Sequence, residues 1–292
     1  MKINRRQFLL WSVAAGIAIK TSRNFDTILY AAEDDPPIIW LQGAGCTGCT
    51  ISTLNLTSPT TIDDLLLNQV SMKYNNTIMS SYGELAISDL EEAANNYSGK
   101  FILVAEGSVP TGESENFCTL GMLGETELTM KAALLNYGPL ASYVVSAGTC
   151  SSYGGIAKAS PNGSFVGVSN ILSGKTTNPV INLPGCPVQP TVLVETLLDL
   201  ILTGIPAVDS ENRPTEFYGK SVHQSCERRS YSRTQIGEAG CYRSIGCRGP
   251  STYFNACPSL KWNNGQSFCV TSNYPCIGCA TSDFPTNPLL DT

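Results

Sequence analysis

Residues 38–49 read IIWLQGAGCTGC, an apolar run that ends in a glycine-rich turn carrying two cysteines. The run Ile38–Leu41 contains no polar residue, which is typical of a strand covered on both faces of a parallel sheet. Glycines beside Cys46 and Cys49 permit a sharp turn and a close approach of the backbone to a ligand. The stretch therefore predicts a buried strand whose carboxyl end delivers two thiols.

The same alternation of apolar runs and helical segments continues to about residue 204. Further strands are predicted at residues 101–105, 143–145 and 180–183, with another around 72–79. Helices are predicted at residues 62–68, 84–96, 125–136 and 188–203. This pattern predicts an α/β domain with a doubly wound parallel sheet over residues 36–204.

Two further cysteines come directly after predicted strands. Cys150 follows the strand at 143–145, and Cys186 follows the strand at 180–183. Because the carboxyl ends of parallel strands meet at one edge of a sheet, Cys46, Cys49, Cys150 and Cys186 are expected to converge there. Four converging thiolates predict a metal or iron–sulfur site.

Residues 205–292 form a smaller, irregular, cysteine-rich region. Long apolar runs are rare there, so the segment needs disulfides or metals to hold it together. Its candidate ligands include the only histidine of the chain. With the four cysteines above they make three sets of four donors and leave only Cys118 over. The candidates are His223, Cys226, Cys241, Cys247, Cys257, Cys269, Cys276 and Cys279.

Three other interpretations of these residues remain open from the pattern alone. Twelve cysteines in an exported protein could form six disulfides, and sets of four such donors are ordinary zinc sites. The glycines at 43, 45 and 48, with Asp63 and Asp64 downstream, also match a dinucleotide-binding fingerprint. Thiolates in that turn would repel a pyrophosphate, which argues against the fingerprint.

The first 32 residues are typical of an export signal. Arg5-Arg6 precede an apolar run from Phe8 to Ile19, and small residues follow Tyr30. This arrangement predicts a twin-arginine signal, with an ordinary secretory signal as the alternative. The run is too short to span a bilayer and no second run of membrane length follows, so we expect no transmembrane anchor in this chain and a periplasmic location.

The composition excludes two functional classes. A net charge of −6 without a basic cluster beyond the N-terminus makes nucleic acid an unsuitable partner. A hydrophobic content of 42% supports a packed core and excludes wholesale disorder.

Seven motifs, in order along the chain, resemble the small subunit of nickel–iron hydrogenases, with features of the nickel–iron–selenium, periplasmic type. The resemblance runs from about Ile38 to Pro285. The motifs are GCTGC (45–49), EGSVP (106–110), GTCSSYGG (148–155), PGCP (184–187), GCRGP (246–250), KWNNG (261–265) and CIGC (276–279).

The resemblance implies a flavodoxin-like domain followed by an iron–sulfur domain, with three [4Fe–4S] clusters. The proximal cluster would use Cys46, Cys49, Cys150 and Cys186. The distal cluster would use His223, Cys226, Cys241 and Cys247. The medial cluster would use Cys257, Cys269, Cys276 and Cys279, and it would be a [3Fe–4S] cluster if Cys269 were not a ligand. Cys118 is then expected to be structural.

The implied function is electron transfer for H2 ⇌ 2H⁺ + 2e⁻. The chain would carry no catalytic residue of its own, because the resemblance places the nickel–iron site in a separate large subunit. A c-type cytochrome is the implied external redox partner. Gly48 and Gly155 stand where oxygen-tolerant members carry two extra cysteines, so their special proximal cluster is not expected.

Overall fold

The central element of the computed structural model, which describes residues 36–230 and 235–285, is a five-stranded sheet. Its strands are β1 (Pro37–Gln42), β2 (Ser71–Asn75), β3 (Ile102–Glu106), β7 (Tyr143–Ala147) and β9 (Ile181–Leu183). All of the strand pairs are parallel, in the order β2-β1-β3-β7-β9. Counting only these strands in chain order gives 2-1-3-4-5, the flavodoxin-like order. The predicted fold class is confirmed.

Helices connect the strands and cover the sheet. Those before residue 205 are α1 (Gly48–Leu54), α2 (Ile62–Asn68), α3 (Gly83–Asn96), α4 (Met130–Tyr137), α5 (Gly148–Tyr153), α6 (Gly155–Lys158), α7 (Val168–Leu172) and α8 (Pro190–Leu202). The predicted helices at 62–68, 84–96 and 188–203 are therefore found within two residues of their expected bounds. The strand expected around 72–79 is shorter, and it ends at Asn75.

The helix predicted at residues 125–136 is wrong in its first turn. Residues Thr126–Thr129 form strand β6, which pairs antiparallel with β5 (Thr119–Leu123). Gly124 makes the turn with φ +62°, and the β-branched threonines favour the extended conformation. The helix α4 begins only at Met130, where the Thr129 hydroxyl accepts a 3.1 Å hydrogen bond from the amide of Ala132. A second short pair joins β4 (Val109–Thr111) to β8 (Ser164–Val166).

Two apolar clusters, one on each face of the sheet, make the core. Alternate residues of β1 point to opposite faces: Ile38 and Trp40 belong to one cluster, Ile39 and Leu41 to the other. Both faces are buried, which explains why Ile38–Leu41 contains no polar residue. The first face is covered by α8 and by residues after 215, and the second by α3 and α4.

The cysteine-rich C-terminal region packs onto the first face. Its described residues form short α-helices, isolated bridges in place of strands, and one 3-10 helix at Arg243–Ile245. The α-helices are α9 (Thr215–Tyr218), α10 (Val222–Ser225) and α11 (Ala256–Leu260). Tyr218 stacks on Phe254 with ring centroids 4.8 Å apart, and its hydroxyl donates a 2.9 Å hydrogen bond to the carbonyl of Pro184. Burying each such ring contributes about 1.5–3 kcal/mol. The region therefore docks beside the strand β9 that leads to Cys186.

Two sequence predictions are not tested by the described residues. The signal at residues 1–32 lies outside the described residues, and the boundary at 204/205 stays a prediction, since one apolar cluster includes residues from both sides of it. Among the described helices, none has the length and apolar character needed to cross a membrane.

Candidate metal centre

The four cysteines predicted at the sheet edge all lie at the carboxyl ends of strands. Cys46 and Cys49 follow β1, with Cys49 in the first turn of α1. Cys150 lies in α5 directly after β7, and Cys186 lies in the loop after β9. Parallel topology therefore carries residues separated by up to 140 positions in the sequence to one edge.

These thiols are close enough to influence one another. Burial is the main cause that raises the pKa of Cys49, and the neighbouring Glu106, Cys150 and Cys186 raise it further. Burial also raises the pKa of Cys186 to about 11, with contributions from Cys150 and Cys46. A bound metal centre would reverse this direction, because coordination deprotonates a thiol. The four residues form one electrostatically coupled set.

Glu106 is a buried carboxylate at this edge whose role the sequence did not reveal. It ends β3 and is 2% exposed. It accepts hydrogen bonds from the amides of Cys49 (2.9 Å) and Thr50 (3.0 Å) and from Trp40 Nε1 (3.1 Å). The side chain thus fixes the first turn of α1 and places a negative charge beside Cys49.

This hydrogen bonding argues against the dinucleotide interpretation. A bound pyrophosphate needs the free N–H groups at the start of a helix. In α1 the amides of Cys49 and Thr50 donate to Glu106 instead. The glycine turn before the helix is itself bonded to the segment after β3, with Ala44 N donating to Ser108 O at 3.0 Å.

Two glycines leave room around the thiols. At Gly148, whose φ is +87°, a Cβ atom would lie 2.4 Å from Cys49 Sγ. At Gly155, with φ +50°, it would lie 2.6 Å from Cys150 Sγ. Only glycine meets both the backbone and the steric requirement. The thiols are therefore held against bare backbone, as a bulky ligand requires.

A second set of donors lies in the C-terminal region, around α10. His223 is in this helix, and its Nδ1 lies 3.8 Å from Cys241 Sγ. Burial raises the pKa of Cys226, and Cys247 and Cys241 are among the neighbours that raise it further. The amide of Arg228 donates to Cys226 Sγ at 3.4 Å. His223 thus lies beside Cys241, and Cys226 has Cys241 and Cys247 as neighbours.

The third set lines a cavity of about 420 Å³. Burial raises the pKa of Cys276 to about 12, and Cys247 and Cys269 add to this. Burial likewise raises the pKa of Cys257, with Cys279, Cys276 and Cys269 as neighbours. The four cysteines that line this cavity are Cys257, Cys269, Cys276 and Cys279.

The cysteine chemistry bears on the disulfide and zinc alternatives. All twelve cysteines lie in the described residues and all are free thiols, which contradicts six disulfides. Within residues 36–230 and 235–285, no three His, Cys, Asp or Glu side chains are close enough to share one metal ion. A zinc ion needs all of its donor atoms within about 2.3 Å of the metal, so the donors must lie close to one another. Donors on a cluster are spread more widely, because they bind different iron atoms.

Cys118 lies apart from these sets. It is half-buried against the apolar cluster on the second face of the sheet, where burial raises its pKa to about 11. The sequence marks Cys118 only as the cysteine that remains after the three sets of donors are assigned.

Comparison with known proteins identifies the family. The family model for the NADH ubiquinone oxidoreductase 20 Kd subunit matches residues 46–200, more than half of the chain. The model for the C-terminal part of the NiFe/NiFeSe hydrogenase small subunit matches residues 218–290. The periplasmic [NiFeSe] hydrogenase small subunit of Desulfomicrobium baculatum is 34% identical, over 98% of this chain and 97% of that protein.

The chain is a nickel–iron hydrogenase small subunit by family.

Other members of the hydrogenase small-subunit family agree. The quinone-reactive Ni/Fe-hydrogenase small chain of Wolinella succinogenes is 37% identical over 97% of this chain and 81% of its own length. A chain of the [NiFeSe] hydrogenase of Desulfovibrio vulgaris Hildenborough superposes with a TM-score of 0.81 at 37% identity, covering 90% of this chain and 99% of that one. Members of this family are small subunits of oxidoreductases that act on H2, and they transfer electrons in H2 oxidation. The catalytic site of these enzymes is in the large subunit.

Membership explains why soft thiolates dominate the donor set of this small subunit. Soft thiolates are the ligands of iron–sulfur clusters. The family and the cysteine-rich region together indicate such clusters. The assignment of individual cysteines and of His223 to three particular clusters stays a prediction.

Proposed function

We propose that this chain is the electron-transfer subunit of a periplasmic [NiFe] or [NiFeSe] hydrogenase, and that it holds three [4Fe–4S] clusters. The net reaction of the holoenzyme is H2 ⇌ 2H⁺ + 2e⁻. The proximal ligands are Cys46, Cys49, Cys150 and Cys186; the medial ligands are Cys257, Cys269, Cys276 and Cys279; the distal ligands are His223, Cys226, Cys241 and Cys247.

The observation that carries the proposal is the contact between successive donor sets. Cys186 of the proximal set lines the same cavity as the four medial cysteines. The amide of medial Cys276 also donates a 3.2 Å hydrogen bond to the sulfur of distal Cys247. The proposed medial set thus has a neighbour in each of the other two sets, which supports a middle position for it in a path for electrons.

Residues of the chain also influence the reduction potentials of the clusters along this path. When bound, iron–sulfur clusters accept and release single electrons at potentials set by charge, hydrogen bonding and exposure. Glu106 places a negative charge beside the proximal set, and His223 replaces one thiolate in the distal set by a neutral imidazole. The negative charge of Glu106 lowers the reduction potential of the proximal cluster. The neutral imidazole of His223 raises the reduction potential of the distal cluster.

The large subunit is proposed to cover the carboxyl edge of the sheet near the proximal set. Cys46 is exposed there, and the adjacent α1 presents Ile51 and Leu54 at 55% and 40% exposure. Obligate interfaces bury about 2,000–5,000 Å² and are rich in apolar residues. The nickel–iron site would lie across this interface.

Two further parts of the proposal concern location and partner. Relatives from Desulfomicrobium baculatum and Solidesulfovibrio fructosivorans are named as periplasmic small subunits, which supports export of this chain by its Arg5-Arg6 signal. A c-type cytochrome is the proposed external partner at the distal, His223 end.

Metal analysis of the heterodimer purified without oxygen tests the proposal. Three [4Fe–4S] clusters require about twelve irons and as many acid-labile sulfides in this chain, in addition to the iron of the large subunit. Zinc in place of iron, or iron without labile sulfide, contradicts it.

A further inference from the structure

The loop at residues 261–265 has an unusual backbone. Lys261, Asn263 and Asn264 have φ values of +57°, +52° and +58°, and Gly265 has +76°. Asparagine tolerates a positive φ better than other non-glycine residues, but at Lys261 this conformation is costly and persists only where surrounding contacts enforce it. Hydrogen bonds do so here: Trp262 N donates to Ser267 O at 2.8 Å, and Gln189 Nε2 donates to the carbonyl of Lys261 at 3.2 Å.

The residue that this loop positions is Trp262. Its ring meets Phe254 edge to face, with centroids 6.0 Å apart and planes at 78°. Its side chain lines the cavity that contains the four medial cysteines. The loop therefore places Trp262 in the lining of the cavity that contains the medial donor set.

The indole nitrogen of Trp262 has no partner. Among the described residues, Nε1 of Trp262 is one of five buried side-chain polar atoms without a hydrogen bond. An indole N–H can only donate, and burying it unpaired costs stability. The cavity that Trp262 lines is also lined by the four medial cysteines, so a cluster bound to them would bring sulfur acceptors into the same cavity.

We propose that the Trp262 indole N–H donates a hydrogen bond to a sulfur of the medial cluster and raises its reduction potential. This inference rests on the proposed function, because it needs a cluster on Cys257, Cys269, Cys276 and Cys279. The direction follows from electrostatics: a donor stabilises the state with one more electron, and hydrogen bonds to sulfur are among the factors that set cluster potentials. Trp262 thus tunes the middle of the electron path.

A competing position exists for the same N–H. Trp262 also lines a neighbouring cavity of about 530 Å³, formed with α1 and the start of α8. An N–H directed there would meet water or the partner subunit and would leave the medial potential unchanged. The two positions are distinguished by measuring that potential.

The test is Trp262→Phe in the intact heterodimer, followed by redox titration with EPR detection. The variant keeps an aromatic ring against Phe254 and removes only the donor. The medial midpoint is expected to become more negative. Trp40→Phe is the matched control: it also deletes a buried indole donor, but that donor binds Glu106 beside the proximal set, so the medial midpoint stays in place.

A second measurement uses the unaltered protein, in case the variant assembles poorly. With ¹⁵N-indole tryptophan incorporated, the reduced medial cluster is expected to show hyperfine coupling to one nitrogen. An unmoved midpoint in Trp262→Phe, or absence of this coupling, overturns the proposal while leaving the proposed function intact. Absence of iron at the medial cysteines contradicts both.

Discussion

The amide of Cys49 donates a 2.9 Å hydrogen bond to Glu106 Oε1, joining a predicted cluster ligand on α1 to the end of the neighbouring strand β3. The second carboxylate oxygen accepts from Thr50 and from the indole of Trp40. One buried anion therefore fixes both the geometry and the charge on one side of the proximal set.

Glu106→Gln is expected to destabilise the small subunit by about 1–3 kcal/mol, because an amide nitrogen then faces one of the N–H donors and leaves it unpaired. The proximal midpoint should also rise, since a negative charge beside it is lost. Thermal denaturation and redox titration measure the two effects.

Glu115→Gln is the matched control for that substitution. Glu115 forms a half-exposed ion pair with Lys131 at 2.7 Å. Exposed pairs contribute up to about 1 kcal/mol, so little change is expected. Equal effects of the two substitutions would contradict a special role for Glu106.

Gly148→Ala is expected to prevent assembly of the proximal cluster. The added methyl group would fall 2.4 Å from Cys49 Sγ, and the residue also has φ +87°. Iron content should fall by about four atoms per chain. Gly99→Ala separates the two causes, since Gly99 has φ +75° and no atom within 4 Å of the added Cβ. Full iron content in Gly148→Ala would show that the space beside Cys49 Sγ is not required for the cluster.

Cys269→Pro is expected to convert the medial cluster to three irons. The loss is about one iron per chain, with a [3Fe–4S] EPR signal in the oxidised protein. Cys118→Ala, which removes a cysteine outside the three sets, should lose none. An unchanged iron count in Cys269→Pro removes Cys269 from the ligand set.

The sequence predicted the sheet well because its strands are buried on both faces. Continuous apolar runs such as Ile38–Leu41 favour strands buried in a parallel sheet. The parallel topology then carries Cys150 and Cys186 to the edge that already holds Cys46 and Cys49. The hairpin at residues 119–129 was missed because its threonines and glutamates also fit the start of a helix.

Other features depend on contacts that no local pattern contains. Glu106 and Cys49 are 57 residues apart in the chain, and nothing in the motif around Glu106 shows which amides it accepts. Trp262 and the medial cysteines line one cavity together with Cys186 of the first domain, a grouping that depends on contacts between residues far apart in the chain. Short, irregular segments with few apolar runs do not predict such packing.

Arg5→Lys/Arg6→Lys is expected to leave both subunits in the cytoplasm. The twin-arginine pathway exports folded proteins, so a large subunit without its own signal would depend on this one. Cell fractionation with hydrogen-uptake assays measures the outcome. Periplasmic activity at the level of the unaltered protein would contradict shared export.

Anomalous scattering at the iron edge, from crystals of the heterodimer grown without oxygen, tests the central claim most directly. Three separate iron clusters are expected in this chain, in the order proximal, medial and distal, each bound by the four side chains assigned to it, with His223 on the outermost. Bridged cysteine sulfurs, or single metal atoms at these positions, would contradict the account.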